Sequence, residues 1–169
     1  MHGHYATVRM RIERDRSFVD QARKNGIAMP GSLERAVLKR QCEFVAGRQC
    51  AIEAMRKLGL PSPAQPARGA HGEPLWPRGI TGSISHHSGL AVAVATRAPL
   101  LGIGIDVERW VEAGTAEKIF PTVLPHGEHK EKPSSPTFPA FLTAVYSAKA
   151  SLFKSASPRL GRLVDFSAV

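Results

Sequence analysis

Two acidic residues, Asp106 and Glu108, stand two positions apart in the stretch GIGIDVERW, residues 102–110. Side chains of a β-strand alternate between its faces, so both carboxylates would point the same way from an extended chain. Gly102 and Gly104 precede them on that face, and glycine lets a ligand or another backbone approach closely. Paired carboxylates with room beside them suit a hard cation such as Mg²⁺. The alternative is a strand that ends at the surface with two solvated acids. It stays open because short motifs carry a high false-positive risk.

A second group of polar residues falls in or beside a predicted turn in GSISHHSG, namely Ser83, Ser85, His86 and His87. Binding residues concentrate on loops of a rigid scaffold, although serine and histidine are also common in purely structural turns. Either serine, together with His86 and Asp106, would supply the residue types of a serine hydrolase. The nucleophile-elbow pattern G-x-S-x-G is absent, which disfavours that class of enzyme.

A zinc site is disfavoured as well. Its ligands would be His71, His86 and His87, but neighbouring histidines on an extended chain point apart. The two cysteines, Cys42 and Cys50, do not form a C-x-x-C pair. They lie in one predicted helix, about 12 Å apart along its axis, so they cannot form a disulfide with each other.

Two lysines, Lys149 and Lys154, lie five positions apart in YSAKASLFK, within a predicted helix. They are offset around the helix, but their flexible stems let both ammonium groups reach a common anion. The alternative is an ordinary amphipathic helix with solvated lysines.

Composition limits the classes of partner. The chain has 169 residues, of which 43% are hydrophobic, enough for one domain or two small halves with a packed core. A formal net charge of +9 favours nucleic acid, phosphorylated cofactors or an acidic protein as partner. Aromatic residues make up only 7% and the basic residues are spread along the chain, so a nucleic-acid partner is not expected.

No targeting or membrane segment is predicted. The start of the chain lacks an apolar core of signal-peptide length, and the longest apolar run, LAVAVA at residues 90–95, is too short to span a bilayer. With two cysteines that cannot pair in their helix, we expect a protein of the cytoplasm with no membrane partner.

Periodicity and punctuation predict the elements that position these residues. Helices are expected at 32–58, with Ser32 as its N-cap, and at 140–156. Proline- and glycine-rich stretches at 61–79 and 120–139 are expected to be irregular. Short strands are expected at 80–85, 90–96, 100–108 and 163–169. Together they predict an α+β fold with a small, largely antiparallel sheet.

Four segments, taken in order, resemble the motifs of the 4'-phosphopantetheinyl transferases, specifically the enterobactin-synthase-associated group. They are CEFVAGRQCA, GEPLWPRGITGSISHHSGLAVAV, GIDVE and YSAKASLFK. The resemblance implies two small α/β halves with antiparallel sheets, related by a pseudo-twofold axis, which we place at residues 1–98 and 99–169. It also implies transfer of the phosphopantetheine arm from coenzyme A to a serine of an acyl or peptidyl carrier protein. The name of the group points to siderophore biosynthesis, while peptide and polyketide pathways stay open.

The resemblance assigns a role to each candidate residue at the pyrophosphate of coenzyme A. Asp106 and Glu108 would hold Mg²⁺ there, offsetting charge that develops on the phosphate oxygens. Lys149 and Lys154 would neutralise the pyrophosphate and the leaving group. Glu108 and Lys149 are therefore the expected catalytic residues.

Three further residues are expected to bind coenzyme A. Ser85 and His86 match the serine-histidine turn of the family and would contact its phosphates. Arg48 matches the arginine of the glycine-arginine helix motif and is the candidate for the 3'-phosphate.

The chain departs from the family pattern at several points. Ala150 replaces a glutamate that in the family is a metal ligand and the leading candidate for the base. Tyr146 stands where phenylalanine or tryptophan is usual, and the proline-rich stretch 121–139 replaces helical structure. The chain also stops at Val169, short of strands that usually complete the second half, which is therefore expected to be shortened.

These departures leave three hypotheses. The first is a working or weakened transferase, and the second is a degenerate relative that binds coenzyme A or a carrier protein without transferring anything. The third, a basic nucleic-acid-binding domain, has the least support.

Overall fold

The computed structural model describes residues 5–125 and 137–160, with side chains as far as residue 156. Ten helices and strands lie within these ranges. They are β1 Tyr5–Arg11, α1 Arg16–Lys24, α2 Gly31–Glu34, α3 Leu38–Lys57, β2 Ala67–Arg68, β3 Pro74–Leu75, β4 Thr81–His87, β5 Leu90–Thr96, α4 Ala113–Val123 and α5 Phe138–Leu160.

The main sheet has three antiparallel strands in the order β1, β5, β4. Strands β4 and β5 are joined by a two-residue turn in which Ser88 and Gly89 both have positive φ, 47° and 90°, as tight hairpin turns require. Because His87 pairs with Leu90, β4 runs further than its predicted end at residue 85. The two histidines, predicted to lie in or beside the turn, are therefore the last two residues of the strand beside it. His86 and His87 point to opposite faces of β4.

Helix α3 packs across one face of this sheet. Small side chains of β5, Ala91 and Ala93, belong to the same buried cluster as Cys42, Val45 and other residues of α3. Short side chains let a helix lie close to the strands, which explains why α3 is buried over most of its surface. Both cysteines are free and buried.

The predicted single helix at 32–58 is interrupted in the structure. Helix α2 ends at Glu34, and Val37, with φ −57° and ψ 146°, is the N-cap of α3. The side chain of Gln41, which is 4% exposed, donates hydrogen bonds to the carbonyls of Glu34 and Ala36 and so satisfies backbone groups freed by the break. Ser32 is not an N-cap, since α2 begins after Pro30.

The segment at 100–108, predicted as a strand, contacts α5. A Cβ atom on Gly102 would lie 2.0 Å from the carbonyl oxygen of Ser155, and one on Gly104 would lie 1.8 Å from that of Ser151. Two residues of extended chain cover about 6.6 Å and four helical residues about 6 Å, so the two spacings match. Within the described residues this segment joins neither sheet, so it packs alongside α5 without forming the strand ladder that was predicted.

The described residues after residue 98 are mostly helical. Helices α4 and α5 pack through a buried cluster that includes Ala116, Val123, Phe138 and Leu142. The prediction of a helix at 140–156 is confirmed within α5. The stretch 120–139 is not wholly irregular, because α4 reaches Val123 and α5 begins at Phe138. The predicted strand at 163–169 lies outside the described residues.

Some elements were not predicted. Strand β1 and helices α1 and α4 were not identified, and the stretch 61–79 contains the small hairpin of β2 and β3. The observed fold is α+β with antiparallel sheets, as expected. The pseudo-twofold axis, the division near residue 98 and the shortened second half remain predictions. In the ranges that the structure describes, no helix is long and apolar enough to cross a membrane.

The contact at Gly104 predicts a sharp stability effect. Gly104→Ala should lower the free energy of unfolding by more than about 3 kcal/mol, because the new methyl group meets backbone rather than a movable side chain. Gly114→Ala is the control, since nothing lies within 4 Å of its Cβ position, and it should be neutral or stabilising by up to about 1 kcal/mol. Urea denaturation compares the two variants, and equal stabilities would contradict the close contact.

Candidate functional site

Two side chains from separate segments meet at Asp106. Its Oδ1 atom accepts hydrogen bonds from Ser85 Oγ of β4 at 2.8 Å and from Lys154 Nζ of α5 at 2.6 Å. Lys154 Nζ also lies 2.8 Å from Ser85 Oγ. We call Ser85, Asp106 and Lys154 the Asp106 cluster; the structure thus brings together one candidate residue from each of three motifs.

Asp106 is charged although its side chain is only 3% exposed. Burial alone would raise its pKa, but the hydrogen bonds from Lys154 and Ser85 outweigh burial, so the pKa is lowered. The other oxygen, Oδ2, is buried and makes no hydrogen bond within the described residues. Such an atom has capacity to bind a cation.

Glu108 lies beside the cluster and pairs with the second histidine. Its Oε2 atom is 2.9 Å from His87 Nδ1. Burial raises the pKa of Glu108, and the charge of Asp106 acts in the same direction, so the two carboxylates are close enough to repel. Ser85 contacts Asp106, and two residues further along both segments His87 contacts Glu108. The acidic segment therefore runs parallel to β4.

A cleft of about 450 Å³ opens next to Glu108. Its lining includes His87, Trp110, Thr143 and Tyr146. Trp110 is 69% exposed at the rim. The carboxylate of Glu108 is therefore accessible to a molecule that enters this cleft.

Position 150 lies on the face of α5 that turns toward the carboxylates. Tyr146, Ala150 and Lys154 are spaced four apart, so they follow one another along one helix face. Lys154 contacts Asp106 directly. Burial raises the pKa of Tyr146, and the charges of Glu108 and Asp106 raise it further. A glutamate at position 150 would thus lie between Tyr146 and Lys154, both of which interact electrostatically with the two carboxylates.

His86 lies on the other face of β4, against α3. Its Nε2 atom is 2.8 Å from Arg40 Nη1 and its Nδ1 atom is 3.6 Å from Glu43 Oε2. A guanidinium only donates, so Nε2 is the acceptor and the neutral ring carries its proton on Nδ1. Burial lowers the pKa of His86; Glu43 opposes this effect, while Arg40 and Lys154 add to it.

This arrangement argues against a serine hydrolase. Ser85 donates its hydroxyl proton to Asp106, and His86 accepts from Arg40 instead of contacting either group. The relay from serine through histidine to aspartate is therefore absent among these residues.

Arg48 is buried in α3 and lies apart from the carboxylates. It is 5% exposed, with its guanidinium 4.7 Å from the centre of the Phe44 ring and Nη2 3.4 Å from the carbonyl of Ala67. Burial and then the charges of Arg68 and Arg40 lower its pKa to about 10. Its Nε atom is buried and makes no hydrogen bond in the described part of the chain. A charged, buried guanidinium beside other arginines is suited to bind an anion.

Lys149 occupies a different side of α5. It is 8% exposed and lies about 140° around the helix axis from Lys154, given 3.6 residues per turn. The structure therefore places Lys154, and not Lys149, at Asp106. The role of Lys149 remains a prediction.

The site suits a magnesium ion better than zinc. Among the residues that the structure describes, no three histidine, cysteine or acidic side chains are grouped so as to hold a metal ion. Magnesium needs fewer protein ligands, since it keeps several waters and takes one or two carboxylates together with phosphate oxygens. The adjacent carboxylates of Asp106 and Glu108 fit this requirement, together with the buried Oδ2 of Asp106, which makes no hydrogen bond to any described residue.

Sequence reasoning missed three residues near His86 and Arg48. Arg40 and Glu43 contact His86. Arg68, a residue of β2, lowers the pKa of Arg48 by charge repulsion. The spacing of Arg40 and Glu43, three apart on a predicted helix, was a usable signal for an ion pair. Nothing in the sequence indicated that Arg68 lies near Arg48.

The pKa of His86 predicts how stability depends on pH. As pH falls through about 6.5, the unfolded chain takes up a proton that folded His86 resists, so the free energy of unfolding decreases. His86→Gln should therefore lose less stability than the parent between pH 7.5 and pH 5.5. Urea denaturation at both pH values measures this, with the exposed His71→Gln as control. A larger loss in His86→Gln would contradict a neutral buried imidazole.

Comparison with known proteins identifies the family. Residues 29–96 match the model of the 4'-phosphopantetheinyl transferase N-terminal domain. The chain is 38% identical over 129 residues to enterobactin synthase component D of Salmonella typhi, covering 76% of this chain and 53% of that protein. It is 37% identical over 124 residues to the same component of Shigella flexneri, covering 73% and 58%.

A third relative carries the transferase name. The chain is 43% identical over 77 residues to the 4'-phosphopantetheinyl transferase PptT of Mycobacterium tuberculosis, covering 45% of this chain and 34% of that protein. The chain spans little more than half the length of the enterobactin synthase components it matches. The resemblance predicted from the motifs is confirmed, and this chain contains the N-terminal domain of the 4'-phosphopantetheinyl transferase family.

Proposed function

We propose that this protein transfers the 4'-phosphopantetheine arm from coenzyme A to a serine of an acyl or peptidyl carrier protein, with Mg²⁺ as cofactor. The observation that carries the proposal is the Asp106 cluster, in which residues from three family motifs meet within hydrogen-bond distance. Relatives named as transferases and as enterobactin synthase components support the reaction class and a siderophore pathway.

The two carboxylates would together bind the metal ion at the reacting phosphate. Asp106 and Glu108 would hold the ion, which supplies charge to offset the developing negative charge on the pyrophosphate. Lys154 lies beside Asp106 and would contact the phosphate oxygens as a second cation. The cleft next to Glu108 gives a carrier-protein serine a route to the same point.

The basic residues on the other side of β4 are suited to the far end of coenzyme A. Arg40 and Arg68 both repel Arg48, and a phosphate group would relieve that repulsion. We assign the 3'-phosphate to this group, with Arg48 and His86 as its central members. The charge of the chain, +9 overall, also favours an acidic carrier protein as partner.

A second candidate function rests on Ala150. Its methyl group can neither bind a metal nor accept a proton, although its position faces the carboxylates. The second candidate is therefore a protein that binds coenzyme A or a carrier protein without transferring anything, since alanine at position 150 is compatible with binding alone. The two functions differ in whether a carrier protein gains mass.

The direct test is intact-mass spectrometry of a purified apo carrier protein incubated with the protein, coenzyme A and Mg²⁺. A mass gain of one phosphopantetheine that requires the metal is expected. Asp106→Asn should reduce the rate by about 10²-fold or more, because the buried metal ligand loses its charge. The control is Asp20→Asn on the exposed surface of α1, which should keep the parent rate.

No mass gain from a folded protein that still binds coenzyme A would reject transfer in favour of the binding function. Equal rates for Asp106→Asn and the parent would reject the proposed metal site.

Restoring a carboxylate at position 150 should increase the rate. Ala150→Glu is expected to raise carrier-protein modification by about 10²- to 10⁴-fold, the usual contribution of a positioned base. Ala148→Glu adds the same charge at an exposed position of α5 and should change little. The initial rate of mass gain is the measurement. No difference between the two variants would show that the residue at position 150 does not limit the reaction.

A further inference from the structure

The ammonium group of Lys154 is surrounded by oxygen atoms. It donates to Asp106 Oδ1 at 2.6 Å and to Ser85 Oγ at 2.8 Å, and it lies 3.4 Å from the carbonyl oxygen of Ile105. An ammonium has three N–H donors and no acceptor, so these three oxygens use its full capacity. Oxygen ligands around one positive charge are also what a hard metal ion requires.

Charge balance gives Lys154 a strong reason to stay there. Asp106 is 3% exposed, and a buried carboxylate without a counter-charge is costly. Glu108 adds a second negative charge nearby. Because position 150 is alanine, these are the two carboxylates of the site among the residues that the structure describes, and Lys154 neutralises half of their charge.

We propose that Lys154 competes with the divalent cation for Asp106, occupying that carboxylate when the metal is absent and leaving it when the metal binds. This inference rests on the metal site of the proposed function and concerns a role of Lys154 distinct from phosphate binding. The ion would bind this carboxylate through Oδ2, which makes no hydrogen bond within the described residues. An ion there would strongly repel the ammonium on Oδ1, because both cations would lie on one buried carboxylate.

Competition has two consequences. Metal binding is weakened by the free energy needed to move the ammonium away from Asp106. The released ammonium then becomes available to an anion beside the metal, so metal and phosphate binding reinforce each other. Its side chain is 30% exposed, which gives the ammonium room to move.

Isothermal titration of the protein with magnesium chloride, without coenzyme A, tests the competition. Lys154→Gln keeps a hydrogen-bond donor to Asp106 but removes the charge, and it should bind Mg²⁺ about tenfold more tightly, equal to about 1.4 kcal/mol. Lys154→Arg keeps a cation and should bind as the parent does. The control for net charge is Lys118→Gln on the exposed side of α4, which should leave the affinity unchanged.

Coenzyme A gives a second readout that a merely structural role of Lys154 would not produce. In saturating Mg²⁺, Lys154→Gln should bind coenzyme A more weakly than the parent, although it binds the metal more tightly. Opposite shifts for the two ligands are expected only if one ammonium serves both the carboxylate and the phosphate.

Equal or weaker Mg²⁺ binding by a folded Lys154→Gln variant would overturn the competition. Absence of Mg²⁺ binding in both the parent and the variant would overturn it too. Carrier-protein modification then distinguishes failure of the competition from failure of the proposed function. If the parent shows metal-dependent transfer but Lys154→Gln does not tighten Mg²⁺ binding, the competition alone is rejected. No transfer and no metal binding would reject the proposed function as well.

Discussion

The contact between the backbone of α5 and the two glycines before Asp106 determines where the site forms. Gly102 and Gly104 lie against the carbonyls of Ser155 and Ser151, closer than any side chain would permit. This contact aligns the acidic segment with the helix, so that Lys154 lies against Asp106. The same segment runs parallel to β4, which brings Ser85 and His87 to the two carboxylates. The site thus depends on a helix, a strand and an intervening segment whose spacings match.

Strand β4 separates two electrostatic environments. Ser85 and His87 face the carboxylates, whereas His86 faces Arg40 and Glu43 on α3. On the first side a buried aspartate is stabilised by an ammonium. Near the second side Arg48 is buried beside two other arginines, and its pKa is lowered as a result. Buried charges of this kind cost stability and are typical of sites that bind charged ligands.

Much of the fold could be predicted from local pattern, but its exceptions have long-range causes. The helix at 140–156 and the strands at 80–85 and 90–96 follow from period and composition. The break between α2 and α3 was not visible, because it depends on Gln41, whose side chain bonds to carbonyls freed by the break. The acidic segment has the composition of a strand, yet within the described residues it packs on α5 and joins neither sheet. Helix α4 contains Pro121, a residue that indicated irregular structure.

The sequence by itself determined the chemical inventory: two carboxylates on one side of an extended segment, glycines that allow close approach, and a helix with lysines five apart. These properties depend on residue type and short-range spacing, which the chain carries before it folds. Only the tertiary structure decided that Lys154 contacts Asp106 while Lys149 lies on another side of α5. It also decided that His86 and His87 serve opposite faces of β4. Those choices depend on which segments pack together, and contacts between residues far apart in the chain are not encoded in any local pattern.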